Sequence, residues 1–254
     1  RESSDNTNSP WGQVKGQFWG WHQRLIRQVL MSFQVPTIIA QAEQALAEGK
    51  SVVMQLVNTD DAANQRAYNK GLADGVPLDE IDFSTKATVI DFIENQFPVQ
   101  RYEEYEDDQG RTQTRAMVDS QGNDILDPTA VAKRDELIQE INDRWQMPEM
   151  PLDQIITHFG VDNVSEMTGR MMRFPFREET VDGEVVYRRV AEKGPGKYSD
   201  KNFEAEADLF NNGHKKSNYT YLGQQSKHRR ILIFSDAGGT GKSYHAGSRF
   251  NNQQ

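Results

Sequence analysis

Apolar positions recur at three- and four-residue spacings from residue 18 to residue 33 (Phe18, Leu25, Ile26, Val29, Phe33). This pattern predicts an amphipathic helix that buries one stripe. Trp11, Trp19 and Trp21 crowd its start; packing against the core is the expectation, and stacking of nucleobases the alternative. Pro36 then suits the first turn of a second helix through Ile38, Ile39, Ala42, Ala45 and Leu46, which Gly49 stops. The β-branched run 51–57 is bounded by Gly49 and Asn58 and reads as a buried strand, followed by a helix over 60–70. Helix, strand and helix in succession give the rhythm of an α/β layered domain.

Ser84 is placed to cap a helix over 85–97 that Pro98 ends. Polar alternation replaces the helical period over 99–127, with Gln109-Gly110 and Gln121-Gly122 as turn signals and an acidic run at 103–108. This predicts a solvated β-hairpin outside the core, at the start of an insertion over 99–150. Helices are expected over 128–145 and 152–159, and a hairpin turn at 181–184. A short helix over 202–212 sets Phe203, Ala207 and Phe210 on one side and stops at Gly213. A polar loop over 214–228 leads into 229–236, the clearest strand, with four apolar residues in a row.

The 254 residues contain no Cys, which excludes a disulfide framework, a zinc ribbon and a thiol nucleophile. Mean hydropathy is −0.79 and no run approaches a membrane span of about 20 apolar residues. Residues 1–10 are polar, with neither an initiating Met nor an apolar signal core. They are expected to be a flexible segment, at an internal cut of a longer chain. Net charge is 29 − 38 = −9, unevenly spread. Residues 211–254 hold seven Lys or Arg against Asp236 alone, a balance of +6, so the first 210 residues carry −15. A basic end on an acidic body points to an anion-binding surface there.

Residues 235–243, Ser-Asp-Ala-Gly-Gly-Thr-Gly-Lys-Ser, follow the strand and lead into a predicted helix, the geometry in which backbone amides hold phosphate. A strict P-loop requires Gly five residues before Gly241, where this chain has Asp236. A self-sufficient ATP-binding loop and a plain strand-to-helix turn both stay open on spacing alone. The five histidines form no H-E-x-x-H pair, and no metal site is expected. G-x-S-x-G is also absent, which argues against a hydrolase elbow.

Several segments, in order along the chain, are together specific: 18–24 (Phe-Trp-Gly-Trp-His-Gln-Arg), 49–59, 152–160, 163–170 (Asn-Val-Ser-Glu-Met-Thr-Gly-Arg) and 231–246. With them the chain resembles the bacterial, phage and plasmid branch of the strawberry notch family of superfamily-two helicases. It departs from the family pattern at Asp60, where Gly is usual, at Lys242, where Arg is common, and at Gly247, where an acid is expected; 214–227 looks inserted.

The resemblance implies an α/β fold, with 11–254 as the second RecA-like lobe up to motif V and incomplete at its carboxyl end. It implies a fragment of an ATP-dependent helicase or translocase, in a cytoplasmic setting. Gly238, Gly239, Thr240, Gly241, Lys242 and Ser243 would hold nucleotide or phosphate, and Thr59, Thr168, Arg170, Ser235, Arg229 and Arg230 would meet nucleic acid. Its partners would be DNA or RNA, chiefly through the phosphate backbone, and the first RecA-like lobe of the same longer protein, with no membrane. ATP and Mg2+ would be cofactors of the full-length protein, with neither held and no catalysis performed by this chain alone. The rival reading is a non-catalytic nucleic-acid- or partner-binding module on the same fold; a self-sufficient P-loop NTPase stands behind both.

Overall fold

A computed structural model of the chain describes residues 10–57, 59, 61–196, 200–213 and 216–235. The first half runs α1 (Pro10–Ala47), β1 (Val52–Gln55), α2 (Asp61–Ala73), a 3-10 turn (Leu78–Glu80), α3 (Thr85–Gln96), β2 (Tyr102–Glu106), β3 (Thr112–Ala116) and α4 (Pro128–Arg144). Then follow α5 (Pro151–Phe159), β4 (Val164–Met167), β5 (Met172–Arg173), β6 (Phe176–Val181), β7 (Glu184–Arg189) and β8 (Glu192–Lys193). The last elements are α6 (Asp200–Asn211), β9 (Tyr219–Tyr221), β10 (Gln224–Ser226) and β11 (Ile231–Phe234). These fall into two compact units, one of residues up to Leu25 with Lys86–Met147, the other of Ile26–Thr85 with Pro148 onward.

The second unit is built on a parallel sheet of order β1-β11-β4, registered by Val52↔Ile231 and Ile231↔Val164. Its central strand must be apolar on both faces, which is why 231–234 reads as an unbroken run; Ile231, Leu232 and Ile233 are all 0% exposed. On one face Ile231 and Ile233 meet Val35, Ala42 and Leu46 of α1 and Leu152, Ile155 and Ile156 of α5. On the other, Leu232 and Met167 meet Phe203 and Phe210 of α6. Each of these side chains larger than Ala42 contributes about 1.5–3 kcal/mol. The outer edge of β4 is closed by α6: the Glu166 amide donates to the Glu206 carboxylate (3.2 Å), and Ser165 Oγ donates to the Glu206 carbonyl (2.9 Å).

Two expectations are corrected here. Pro36 does not separate two helices, because α1 runs unbroken through it. Val35 is fully buried, and Gln154 supplies a donor to the Ser32 carbonyl that Pro36 cannot serve. The supposed polar loop 214–228 contains the antiparallel hairpin β9–β10, whose turn sets Leu222 and Gly223 at φ of 49° and 80°. Tyr221 from this hairpin is 4% exposed and joins the core. Its hydroxyl donates to the Asn163 carbonyl (2.5 Å) and accepts the Arg230 amide (2.8 Å).

The first unit bears out the hairpin: β2 pairs with β3 through Tyr102↔Ala116 and Glu106↔Thr112, and both strands are largely exposed. Asp127 caps α4 by accepting the Thr129 and Ala130 amides (2.8 and 3.2 Å), with Pro128 opening the first turn. The unit is broader than the expected insertion 99–150, since α3 and the start of α1 belong to it. Its buried apolar residues include Leu25, Val89, Ile93 and Ile141, and Trp21 stacks on Phe92 with centroids 3.8 Å apart. No helix among the described residues is long and apolar enough to cross a membrane.

Candidate functional site

Parallel strands end on one side, so the sheet brings the segments after β1, β4 and β11 to a common carboxyl edge, where open α/β sheets bind ligands. Thr59 follows β1, Thr168 and Arg170 follow β4, and Ser235 follows β11. The Ser235 amide donates to the Met167 carbonyl (3.3 Å), which ties the ends of β11 and β4 together. Thr59 is half-buried, Ser235 buried and Thr168 fully buried.

Among the described residues Arg170 is the most deeply placed cation, at 1% exposure. Its Nε and one terminal nitrogen grip the Glu166 carboxylate in a fork (2.6 and 3.0 Å), and the other terminal nitrogen donates to Asp153 (2.6 Å). Thr168 Oγ1 donates to Glu166 (2.5 Å), and Asn64 of α2 donates to the second Asp153 oxygen (3.2 Å). Burial works against the guanidinium charge, but the Glu166 and Asp153 carboxylates outweigh it and raise the Arg170 pKa. The backbone is held as firmly. The Met171 amide donates to Asp61 (3.2 Å), the Gly194 amide to the Met171 carbonyl (2.8 Å), and the Gly196 amide to the Arg170 carbonyl (3.1 Å). Any side chain at position 194 would collide with the Arg170 carbonyl, so Gly is needed there. Burial is the leading cause that pushes the Asp61 carboxyl up.

Arg229 and Arg230, expected at the nucleic-acid surface, also face inward. One terminal nitrogen of Arg229 donates to Glu206 (2.5 Å) and to the Val164 carbonyl (3.0 Å). Arg230 is 8% exposed and donates to the Leu46 and Lys50 carbonyls (3.1 and 2.6 Å), satisfying the carboxyl end of α1. A phosphate contact by Arg170, Arg229 or Arg230 would therefore have to break pairs already made. Gly238, Gly239, Thr240, Gly241, Lys242 and Ser243 lie outside the described residues. No group of three or more His, Asp or Glu placed to hold a metal ion occurs among the described residues.

Sequence reasoning found Arg170 but missed Asp153, Glu206 and Tyr221. Asp153 carried one signal, an acid inside the apolar first turn of α5 beside Leu152. Nothing local marks Glu206, whose partners are remote in sequence.

A parallel sheet with helices on both faces is the architecture of a RecA-like helicase lobe, and residues 150–254 match the family described as the C-terminal domain on Strawberry notch homologue. The chain is 33% identical over 82 residues to Protein FORGETTER 1 of Arabidopsis thaliana, a stretch covering 32% of this chain and 6% of that protein. It is 30% identical over 83 residues to Protein strawberry notch homolog 1 of Homo sapiens and of Rattus norvegicus, covering 33% of this chain and 6% of each relative. The chain thus spans a small part of the length of the curated relatives it matches. No solved structure matches.

Proposed function

We propose that this chain supplies the second motor lobe of an ATP-dependent helicase or translocase of strawberry notch type, meeting nucleic acid and nucleotide at the carboxyl edge of its sheet. The observation that carries this reading is the convergence of the segments after β1, β4 and β11 at one edge, with β4 and β11 inside the stretch that matches the helicase C-terminal domain. In this reading the 238–243 loop amides and the Thr240 and Ser243 hydroxyls hold phosphate, and Lys242 supplies the counter-charge. Among the described residues, Arg170 organises the edge rather than reaching out from it. Bound ATP and Mg2+ would supply the phosphoryl-transfer chemistry, and the first lobe of the longer protein would complete the cleft. Phosphate contacts carry no sequence information, so recognition of DNA or RNA would be weakly sequence-specific and salt-sensitive.

The test is single-stranded oligonucleotide binding by this chain as a function of salt, alongside its ATPase rate. The expected result is salt-dependent binding that Lys242→Ala weakens, with no hydrolysis by the chain alone. DNA-stimulated turnover by the isolated chain that disappears in Lys242→Ala would instead establish a self-sufficient P-loop NTPase. Absence of nucleic-acid binding at low salt would refute the motor-lobe reading.

A further inference from the structure

We propose that Phe18, Trp19 and His22 of α1 form a stacking platform for the bases of single-stranded nucleic acid. The expectation that the tryptophans at the start of α1 pack on the core holds for Trp21, which lies flat on Phe92 at an interplanar angle of 10°. It fails for Trp19, which is 52% exposed beside Phe18 at 41%. Phe18 and His22 stack on each other with centroids 5.7 Å apart, and Trp19 meets both edge-on, at 70° and 83° and the same spacing. The indole is thus braced by two rings, so a base that lands on this cluster orders little that is not already ordered.

Charge selects the occupant. Residues 6–42 contain Lys15, Arg24 and Arg27 but no Asp or Glu, and this is the longest acid-free stretch of a chain with net charge −9. Along this stretch of α1 a polyanion meets no carboxylate of the helix itself. The need for such a place is sharpened by Arg170, Arg229 and Arg230, whose guanidinium groups are turned inward. Exposed rings on a stretch of helix whose sequence carries cations and no acids match the stacking and backbone-tracking chemistry of single-strand binding. The ligand class rests on the proposed function; the platform residues belong to the other compact unit from the sheet.

The experiment is fluorescence anisotropy of a labelled oligo(dT) of about 20 nucleotides, long enough for one binding site. It is titrated with the whole chain and with Phe18→Ala/Trp19→Ala, Trp19→Phe and Lys242→Ala. Stacking predicts that the double variant binds about five-fold or more weakly. Its salt slope should stay unchanged, because rings release no counterions. Trp19→Phe should keep most of the affinity. If Lys242→Ala weakens binding and the double variant matches the parent, the platform is overturned while the carboxyl-edge reading stands. The opposite pattern supports the platform and removes the loop from the interface. A parent that binds no oligonucleotide overturns both. Unchanged affinity in the double variant with a lower mass by sedimentation assigns the rings to self-association, which also overturns the proposal.

Discussion

Gln154 of α5 donates its side-chain amide to the Ser32 carbonyl of α1 at 3.4 Å, the carbonyl that Pro36 leaves without an intrahelical partner. The same amide nitrogen donates to the Glu149 carbonyl at 2.6 Å. One side chain therefore repairs the helix and fixes the turn that starts α5. Pro36→Ala should restore the missing bond and raise stability by about 1–3 kcal/mol, up to the cost of an interior proline. Gln154→Ala should cost about 1 kcal/mol in the parent and less beside Pro36→Ala. A urea-denaturation cycle in which the two effects simply add would show that the amide is not compensating for the proline.

Arg170 is expected to be the most sensitive single position of the buried network. Arg170→Met leaves Glu166 and Asp153 facing each other without a cation, for a loss of about 3–5 kcal/mol. Replacing all three by apolar residues of similar volume should recover part of that loss, because the desolvation of the charges goes with them while Thr168 and Asn64 lose their acceptors. Thermal melts of the single and triple variants decide this: equal destabilisation of both would mean that the ion network itself, and not the unpaired acids, carries the stability.

Much of the layered core is legible in the sequence because its signals are local. The apolar run at 231–234 becomes the central strand, the spacing of Phe203, Ala207 and Phe210 becomes the sheet-facing side of α6, and Gln109-Gly110 becomes the β2–β3 turn. The failures share one cause, tertiary contacts that override local preference. Pro36 breaks helices in isolation, but here α5 services the carbonyl it orphans. Residues 214–228 read as a polar loop by composition, yet Tyr221 reaches the core and holds the start of β11. The basic residues of the site could be counted but not oriented. Arg230 points at the end of α1 and Arg229 at Glu206, over sequence distances that no periodicity encodes.

Asp61 should make stability depend on pH in a direction opposite to that of a salt-bridged carboxylate. Burial raises its pKa in the folded state, ahead of the opposing Met171 amide and Arg170 charge. Stability from this group is therefore full below the usual carboxylate range and is lost as pH rises through the raised value. Asp61→Asn keeps an acceptor for the Met171 amide but cannot ionise. The variant should be at least as stable as the parent at neutral pH, with the difference fading as pH falls below the usual range near 3.8. Denaturation midpoints of both proteins across that range provide the check, and a variant that loses stability at neutral pH would contradict it.

The inward-facing arginines separate two effects that charge counting merges. Arg230→Ala removes the donor to the Leu46 and Lys50 carbonyls; Leu46 still accepts the Gly49 amide (3.0 Å), so the melting temperature should fall mainly through the Lys50 carbonyl, at about 1–3 kcal/mol. Because that guanidinium neutralises no phosphate, the salt slope of oligonucleotide binding should not change while the protein remains folded. Lys242→Ala should do the reverse, leaving the melt intact and reducing the slope by about 0.7, one single-strand phosphate contact. Melts and salt titrations on the two variants therefore give opposite pairs of results. If Arg230→Ala flattened the slope as much as Lys242→Ala does, the guanidinium would have to leave the end of α1 in the complex, exposing the Leu46 and Lys50 carbonyls. That rearrangement would appear as faster amide exchange in the last turn of α1 when nucleic acid is added.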